Sequence, residues 1–395
     1  MILPGHRRAL EADPAAPLPL RFAALAAARP EAPLVAYGEW RLNYGDVNGA
    51  ANRLAHRLIA LGVSASVPVA LGLPRDPDLL VALLAVLKAG GVYVPLDPQW
   101  PAERLRLMAA AACPAVLITR TSLRDRLPSA CGVVVDLDRD QSAIAHEPDA
   151  DPDVAIDPQQ WCYLLFTSGS TGTPKGVPIT HGNLAGLFPP LAEALDFGPR
   201  DVWTWFHSAS FGFSAWELLG AMLHGGSLVI VPESVRQDPV ALGELLVEEQ
   251  VTVFSQTPSA FRRLLHEPRF HACVDDSPLR YLALSGEAIR GDDIGTWLHH
   301  GHRAQLINTY ALTETAGQVA LRIYGPGDAD EAGARNLGQP LAGRHVLVLD
   351  AAGEPVPAQA AGELWVGGDS VTPGYLDAPE LAGRFVTLPV PGHGL

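Results

Sequence analysis

The run YLLFTSGSTGTPKGVPITH at 163–181 gathers the residues of this chain best suited to chemistry. Glycine lets a backbone approach a ligand closely and adopt positive φ. Exposed N–H groups beside Ser and Thr hydroxyls make an anion cradle, and one lysine adds a point charge for phosphate. Thr167, Ser168, Gly169, Ser170, Thr171, Gly172 and Lys175 therefore read as a triphosphate-binding loop; the bland alternative is a flexible surface turn. The spacing is not that of the Walker motif G-x-x-x-x-G-K-[ST], because Thr173 and Pro174 separate Gly172 from Lys175.

Such a loop needs a scaffold. A chain of 395 residues is expected to form two or three lobes. A stretch with helical periodicity (17–30) precedes a strand pair (33–44) and a second helix (45–61). VPVALGLP, VYVPLDP and PAVLITR then read as strands separated by the helical DPDLLVALLAVLKAG and PAERLRLMAAAA. This β-α-β alternation predicts a largely parallel sheet covered on both faces. The acidic, proline-containing segment 137–160 reads as a surface loop or linker. After it, SLVIVPE, VTVFSQTP, YLALSGE and AQLINTYA resume the alternation. From about 335, short strands between Gly and Pro turns suggest a small antiparallel unit. The expected division is a first α/β lobe to about 160, a second over about 161–334, and a small β unit over about 335–395.

The bulk composition narrows the function. Net charge is −15 without a dense basic block, which argues against a nucleic-acid partner and leaves a single nucleotide open. No window approaches 18 uninterrupted apolar residues, so no membrane span is expected. The N-terminus lacks a signal-peptide core. Cys113, Cys131, Cys162 and Cys273 are far apart and read as reduced, mostly buried thiols of a cytoplasmic protein.

TSGSTGTPKG resembles the phosphate-loop signature of the acyl-adenylate-forming superfamily, and five further stretches follow that family in order. LNYGDVNGAANRLAHRL and LKAGGVYVPLDPQWPAERL resemble the first and second core motifs of adenylation domains from nonribosomal peptide synthetases. FHSASFGFSAWELLGAMLHGG and NTYALTETA resemble the fourth and fifth, and GELWVGG with GYLDAPELAGRF the sixth. The resemblance implies two stacked βαβ-type subdomains with mixed or parallel sheets, plus a small antiparallel, barrel-like subdomain. It also implies attack of a carboxylate on the α-phosphorus of ATP, with Mg²⁺, to give an acyl-adenylate. The acyl group then passes to the phosphopantetheine thiol of a peptidyl carrier protein. A monomer is expected.

The same resemblance assigns roles. Thr167, Ser168, Thr171 and Lys175 would hold the β- and γ-phosphates, and Glu314 would take the magnesium-associated position. Thr313 would contact the α-phosphate or the acyl phosphate. Gly286, Glu287 and Ala288, with Asn308, Thr309 and Tyr310, match the adenine pocket, Tyr310 stacking on the base. Two departures stand out. Ala311 and Leu312 replace the family's Gly and Pro, and the chain stops at Leu395, before a ribose-binding aspartate and a C-terminal subdomain with a catalytic lysine. The expectation is the N-terminal core of such a domain, shortened and poorly adenylating alone. The start at Met1 suggests a free-standing or first-in-line parent.

The family's substrate-pocket positions fall on Gly212, Phe213, Trp216, Ser255, Ala283, Ser285, Thr309, Gly317 and Gln318. His207 would be a gate or an ordinary rim residue. Domains for α-amino acids read F-D-x-S; here Phe211-Gly212-Phe213-Ser214 has glycine where aspartate meets the α-ammonium. A buried ammonium without a counter-charge costs several kcal/mol, roughly. The substrate is therefore expected to be non-standard: an α-hydroxy, α-keto or aryl acid, a β-amino acid, or an α,α-disubstituted amino acid, with a small polar acid favoured. Ser255 and Ser285 also read as serines closing backbone bonds. Two rivals remain: an acyl- or aryl-CoA synthetase, and a nucleotide-binding module that has lost its chemistry.

Overall fold

The structure is a computed structural model that describes residues 16–129, 131–168 and 174–387. Its strands, in chain order, are β1 (Pro33–Tyr37), β2 (Trp40–Asn43), β3 (Pro68–Leu71), β4 (Val92–Pro95), β5 (Val116–Thr119), β6 (Val133–Asp136), β7 (Trp161–Ser168), β8 (Pro174–Thr180) and β9 (Val202–Trp205). There follow β10 (Ser227–Ile230), β11 (Val253–Gln256), β12 (Tyr281–Ser285), β13 (Gln305–Leu312), β14 (Gly317–Ile323), β15 (Gln339–Pro340), β16 (Arg344–Leu349) and β17 (Glu363–Gly368). One sheet runs β6-β5-β3-β4-β7-β8, parallel except for the β7–β8 hairpin. The larger runs β15-β14-β13-β12-β11-β9-β10-β1-β2, parallel from β13 to β1 and antiparallel at both edges. β16 and β17 form a separate antiparallel pair.

Strand alternation builds the layers. Val69 and Leu71 of the smaller sheet share one core with Trp203, Trp205, Val253 and Ala283 of the larger. The helices Leu18–Ala28, Tyr44–Ala60, Pro77–Lys88 and Phe213–His224 contribute to that same core, between the sheets. The intervening residues face outward: Ala70 and Leu117 toward the Ala102–Ala112 helix, Phe254 and Leu282 toward the helices Pro239–Glu248, Pro258–Leu265 and Gly291–His300. A strand buried on both faces reads as an unbroken apolar run, which is why these strands were legible.

Two expectations need correction. The division near 160 does not follow the sheets. β7 and β8 extend the smaller sheet, while β1 and β2 close the far edge of the larger. Leu164 and Phe166 of β7 face one core and Tyr163 and Leu165 another, and neither face can be buried without β4 beside it. Nor is 137–160 a free linker. It holds a short helix, Gln141–Ala145, and is pinned through its acids. Asn52 donates to the Asp149 carbonyl (2.7 Å) and Arg53 to its carboxylate (2.9 Å). The Lys88 ammonium, 3% exposed, reaches Asp151 at 2.5 Å. Of the four thiols, Cys131 and Cys162 are buried, Cys273 is half-buried, and Cys113 is exposed at a helix C-terminus. Among the described residues no helix is long and apolar enough to cross a membrane.

The Phe213–His224 helix lies on the larger sheet where Gly220 meets the Trp203 ring. A Cβ at Gly220 would stand 2.4 Å from that ring. Trp203 is fully buried and cannot retreat. Gly220→Ala is expected to cost about 1–3 kcal/mol of stability through overpacking, read as a lower urea midpoint with an unchanged slope.

Candidate active site

In open parallel sheets ligands gather beyond the carboxyl ends of the strands. Here those ends belong to β9, β11, β12 and β13, and the phosphate-type hairpin of β7 and β8 reaches the same region. Thr167 sits opposite Lys175 in the hairpin, and Ser168 opposite Pro174. Gly169, Ser170, Thr171 and Gly172 lie outside the described residues. The Lys175 ammonium is 5.8 Å from the centroid of the Tyr375 ring. The Tyr375 hydroxyl donates to Oε1 of Glu314 at 2.6 Å. The backbone seals this arrangement: Leu376 N–H donates to the Gly176 carbonyl (2.8 Å) and Thr372 N–H to the Glu314 carbonyl (3.0 Å). A cation, a phenol and a carboxylate thus converge from three distant parts of the chain.

Glu314 and Tyr375 line an open cleft of about 910 Å³, with Trp365, Val371, Arg384 and Phe385 among its other walls. Oε2 of Glu314 makes no hydrogen bond among the described residues. Magnesium takes oxygen ligands and keeps waters and phosphate oxygens around it, so one carboxylate at the wall of an open cleft fits such an ion. Burial, and then the hydrogen bond to Glu314, pushes the Tyr375 phenol up to about 12. Burial, and then the charge of Glu314, also raises Tyr310, half-buried on β13.

A smaller cavity of about 60 Å³ adjoins this region. Phe211, Gly212, Phe213, Ser285, Gly286, Thr313, Gly317 and Gln318 line it, with Tyr163 and Leu165 of β7 and the departures Ala311 and Leu312. Those two departures continue β13 as strand, and a register shift after Tyr310 sets Ala311 opposite Gln318. Gly212, at φ −53°, opens the Phe213–His224 helix; a Cβ there would stand 3.8 Å from Leu165 and 3.9 Å from the Thr313 hydroxyl. Gly286 takes φ +89° under the Phe211 ring, which a Cβ would approach to 2.9 Å. Among the described residues no acidic side chain lines it.

Several expected pocket residues do not reach the cavity. Trp216 and Ser255 are sealed in the core, where the indole N–H donates to the Ser255 hydroxyl at 3.1 Å. Ala283 and Thr309 are likewise buried, the Thr309 hydroxyl donating to the Leu284 carbonyl at 3.3 Å. The Trp216 ring packs among Phe188, Phe213 and Trp203. Ser285 does line the cavity, but its hydroxyl donates to the Thr309 carbonyl at 2.9 Å. Glu287 turns away: its carboxylate takes the Ser259 N–H and hydroxyl, both at 3.0 Å, at the start of the Pro258–Leu265 helix. Ala288 is exposed beside it. Asn308 and Gln318 are buried, and Oδ1 of the first and Oε1 of the second have no hydrogen-bond partner. Buried acceptors of this kind call for a ligand or a water.

His207 stands between two spaces. Its ring lies 5.5 Å from Phe211 and 5.2 Å from Phe213, which line the small cavity. It also borders a separate cleft of about 380 Å³ with Arg236, Gln256, Thr257 and Arg263. Glu217, wholly buried, accepts from the His207 ring Nδ1 and backbone N–H, each at 3.0 Å, and from the Phe206 N–H at 3.2 Å. Three N–H donors compensate the burial of that carboxylate.

Lys175, Tyr375 and Glu314 meet beside the strand ends, and comparison with known families says what kind of protein carries such a site. A family profile described as AMP-binding enzyme matches residues 22–376. The chain belongs to the AMP-binding enzyme family. A dimodular nonribosomal peptide synthase of Bacillus subtilis (strain 168) is 40% identical over 394 residues, which is 96% of this chain and 16% of that protein. Syringomycin synthase SyrB1 of Pseudomonas syringae pv. syringae is 38% identical over 364 residues, 91% of this chain and 58% of that protein. The chain thus spans less than two thirds of these relatives. Among solved structures, the N-terminal subdomain of Klebsiella oxytoca NpsA has the same fold, with a TM-score of 0.84 at 23% identity over 95% of this chain and 93% of that one. The expected fold class holds, and so does membership of the AMP-binding family, with peptide synthases among the proteins this chain resembles.

Two residues that the structure places at this site were not singled out in the sequence. Tyr375 stands in GYLDAPELAGRF, where nothing marks its partner 61 positions away. Glu217 left a signal, an acid inside the apolar run FSAWELLG. The raised phenol of Tyr375 carries a pH signature. Its protonated form stabilises the fold fully below the ordinary tyrosine value near 10, and that contribution disappears as pH rises toward about 12. The stability difference between the parent and Tyr375→Phe is expected to narrow from pH 10 to 12 in urea unfolding.

Proposed function

We propose that this chain activates a small carboxylic acid as its acyl-adenylate, using ATP and Mg²⁺, for transfer to the phosphopantetheine thiol of a peptidyl carrier protein. The observation that carries the reading is the convergence of Lys175, Tyr375 and Glu314 beside the cavity that holds Gly212 and Thr313. Thr167, Ser168, Gly169, Ser170, Thr171, Gly172 and Lys175 hold the β- and γ-phosphates. Glu314 holds Mg²⁺, and Thr313 meets the α-phosphate. Asn308 offers its unpartnered oxygen to the adenine amino group, while Tyr310 and Gly286 flank the base. Catalysis is positioning and charge neutralisation: the carboxylate oxygen forms its bond to the α-phosphorus as the bond to pyrophosphate breaks. The thiol then displaces AMP from the acyl carbon, its arm entering through the cleft beside His207, Gln256 and Arg263.

The acid lacks a conventionally placed α-ammonium. Among the described residues no carboxylate lines the small cavity, and the unpartnered oxygen of Gln318 suits a neutral donor such as a hydroxyl. An α-hydroxy or other small polar acid fits best, ahead of aryl, α-keto, β-amino and α,α-disubstituted acids.

Calorimetric titration with Mg·ATP tests the nucleotide site. Lys175→Ala is expected to weaken binding by about 10–100-fold, the loss of one charge-assisted contact; identical binding by parent and variant would sink the reading. ATP-dependent hydroxamate formation over a panel of acids tests the substrate. Because a Cβ at Gly212 meets only ordinary contacts, Gly212→Asp is expected to fold and to shift the panel toward ordinary α-amino acids. An unchanged profile would refute the pocket assignment. Offering free CoA against carrier protein as thiol acceptor separates this reading from a CoA synthetase.

A further inference from the structure

Away from the nucleotide region, three imidazoles stack at the start of β13. His271 belongs to the helix Pro268–Asp276; His300 ends the helix Gly291–His300, and His302 follows Gly301, which turns the chain at φ +70°. The rings are nearly parallel: His271 and His300 have centroids 3.7 Å apart, His271 and His302 5.0 Å, His300 and His302 5.4 Å. Their candidate ligand nitrogens all lie within 4.8 Å of one another. His271 is 5% exposed, the His302 side chain 1% exposed, and His300 is open to solvent.

The hydrogen bonds fix the tautomers. Nε2 of His271 lies 3.1 Å from the Leu265 carbonyl, which can only accept, so that nitrogen carries the proton. Nδ1 of His302 lies 2.7 Å from the Asp275 carboxylate and is protonated for the same reason. In the neutral rings, the remaining nitrogens are bare lone pairs, and they face each other at 2.8 Å. Two lone pairs so placed need either a shared proton or a cation. A carbonyl or carboxylate on the outer nitrogen is the usual support of a metal-ligating histidine.

We propose that His271 Nδ1, His302 Nε2 and a ring nitrogen of His300 form a binding site for a divalent transition cation of the zinc type, oriented by Asp275 and the Leu265 carbonyl. Imidazole suits zinc, copper and nickel and does not suit magnesium, so this site is chemically distinct from the one at Glu314. Zinc–nitrogen bonds of about 2.0–2.1 Å in a tetrahedron hold two nitrogens about 3.3 Å apart. On binding, the rings therefore separate by about half an ångström and turn out of their near-parallel stack so that their in-plane lone pairs converge on the ion. β13 places about 25 Å of strand between this cluster and Thr313, so the ion has a structural task. It ties the Pro268–Asp276 helix to the turn that feeds β13.

Calorimetric titration of the chelator-treated chain with Zn²⁺, and separately with Mg²⁺, tests this. One zinc per chain is expected, with no magnesium uptake at this cluster. His300→Gln changes an exposed ring and keeps the fold; it is expected to weaken zinc binding at least 10-fold. Asp275→Asn, one step removed from the ion, is expected to weaken it about 10–100-fold. Thermal unfolding should rise with zinc for the parent and much less for His300→Gln. Zinc uptake that ignores both substitutions would place the ion elsewhere and overturn the proposal. So would an absence of zinc binding together with one proton taken up by the His271–His302 pair near neutral pH in an NMR titration.

Discussion

The position of the Phe213–His224 helix is the constraint on which the candidate site depends. The helix is buried along its length between the two sheets. Gly220 lets it settle onto Trp203, and Trp216 anchors it to β11 through the Ser255 hydroxyl. Its first turn is therefore fixed, and that turn presents Gly212 and Phe213 toward Thr313 and Leu165. Glu217, one turn further on, reaches back to the backbone and ring of His207. One helix thus sets both the floor of the small cavity and the residue that divides it from the neighbouring cleft.

Charge is used sparingly around this frame. The site region relies on a few ions, each held by specific partners: Glu217 by three N–H groups, Glu314 by one phenol, and Lys175 beside that phenol's ring. A triphosphate brings its own negative charge, and a chain with net charge −15 can accept it only through local donors. In the proposed reading the hairpin of β7 and β8 supplies them, from strands whose other residues are largely buried. The three histidines at the other end of β13 follow different chemistry, with nitrogen donors in place of oxygen.

Legibility differed by type of residue. Strands such as β3, β4 and β12 were read correctly because full burial makes them uninterrupted apolar runs, and the helix Pro77–Lys88 because Asp76 caps it and Gly90 follows its end. The assignment of β7 and β8 to a lobe failed because pairing with β4 is a choice among equally apolar edges. Around the small cavity the structure gathers Gly212, Phe213, Ser285, Gly317 and Gln318. Trp216, Ser255, Ala283 and Thr309 lie in the core instead, since whether a residue lines a cavity or is sealed behind its wall depends on packing between distant segments.

The sequence by itself determined the classes of element, the chemistry of the hydroxyl-rich hairpin and the missing carboxylate at Gly212. Those properties reside in residue type and local spacing. Only the tertiary structure decided that Tyr375 bridges Lys175 and Glu314, that Glu287 serves Ser259, and that His271 meets His300 and His302. Each of those contacts joins segments 28 to 200 residues apart, and contacts across such separations are set by sheet order and helix packing, which no local pattern encodes.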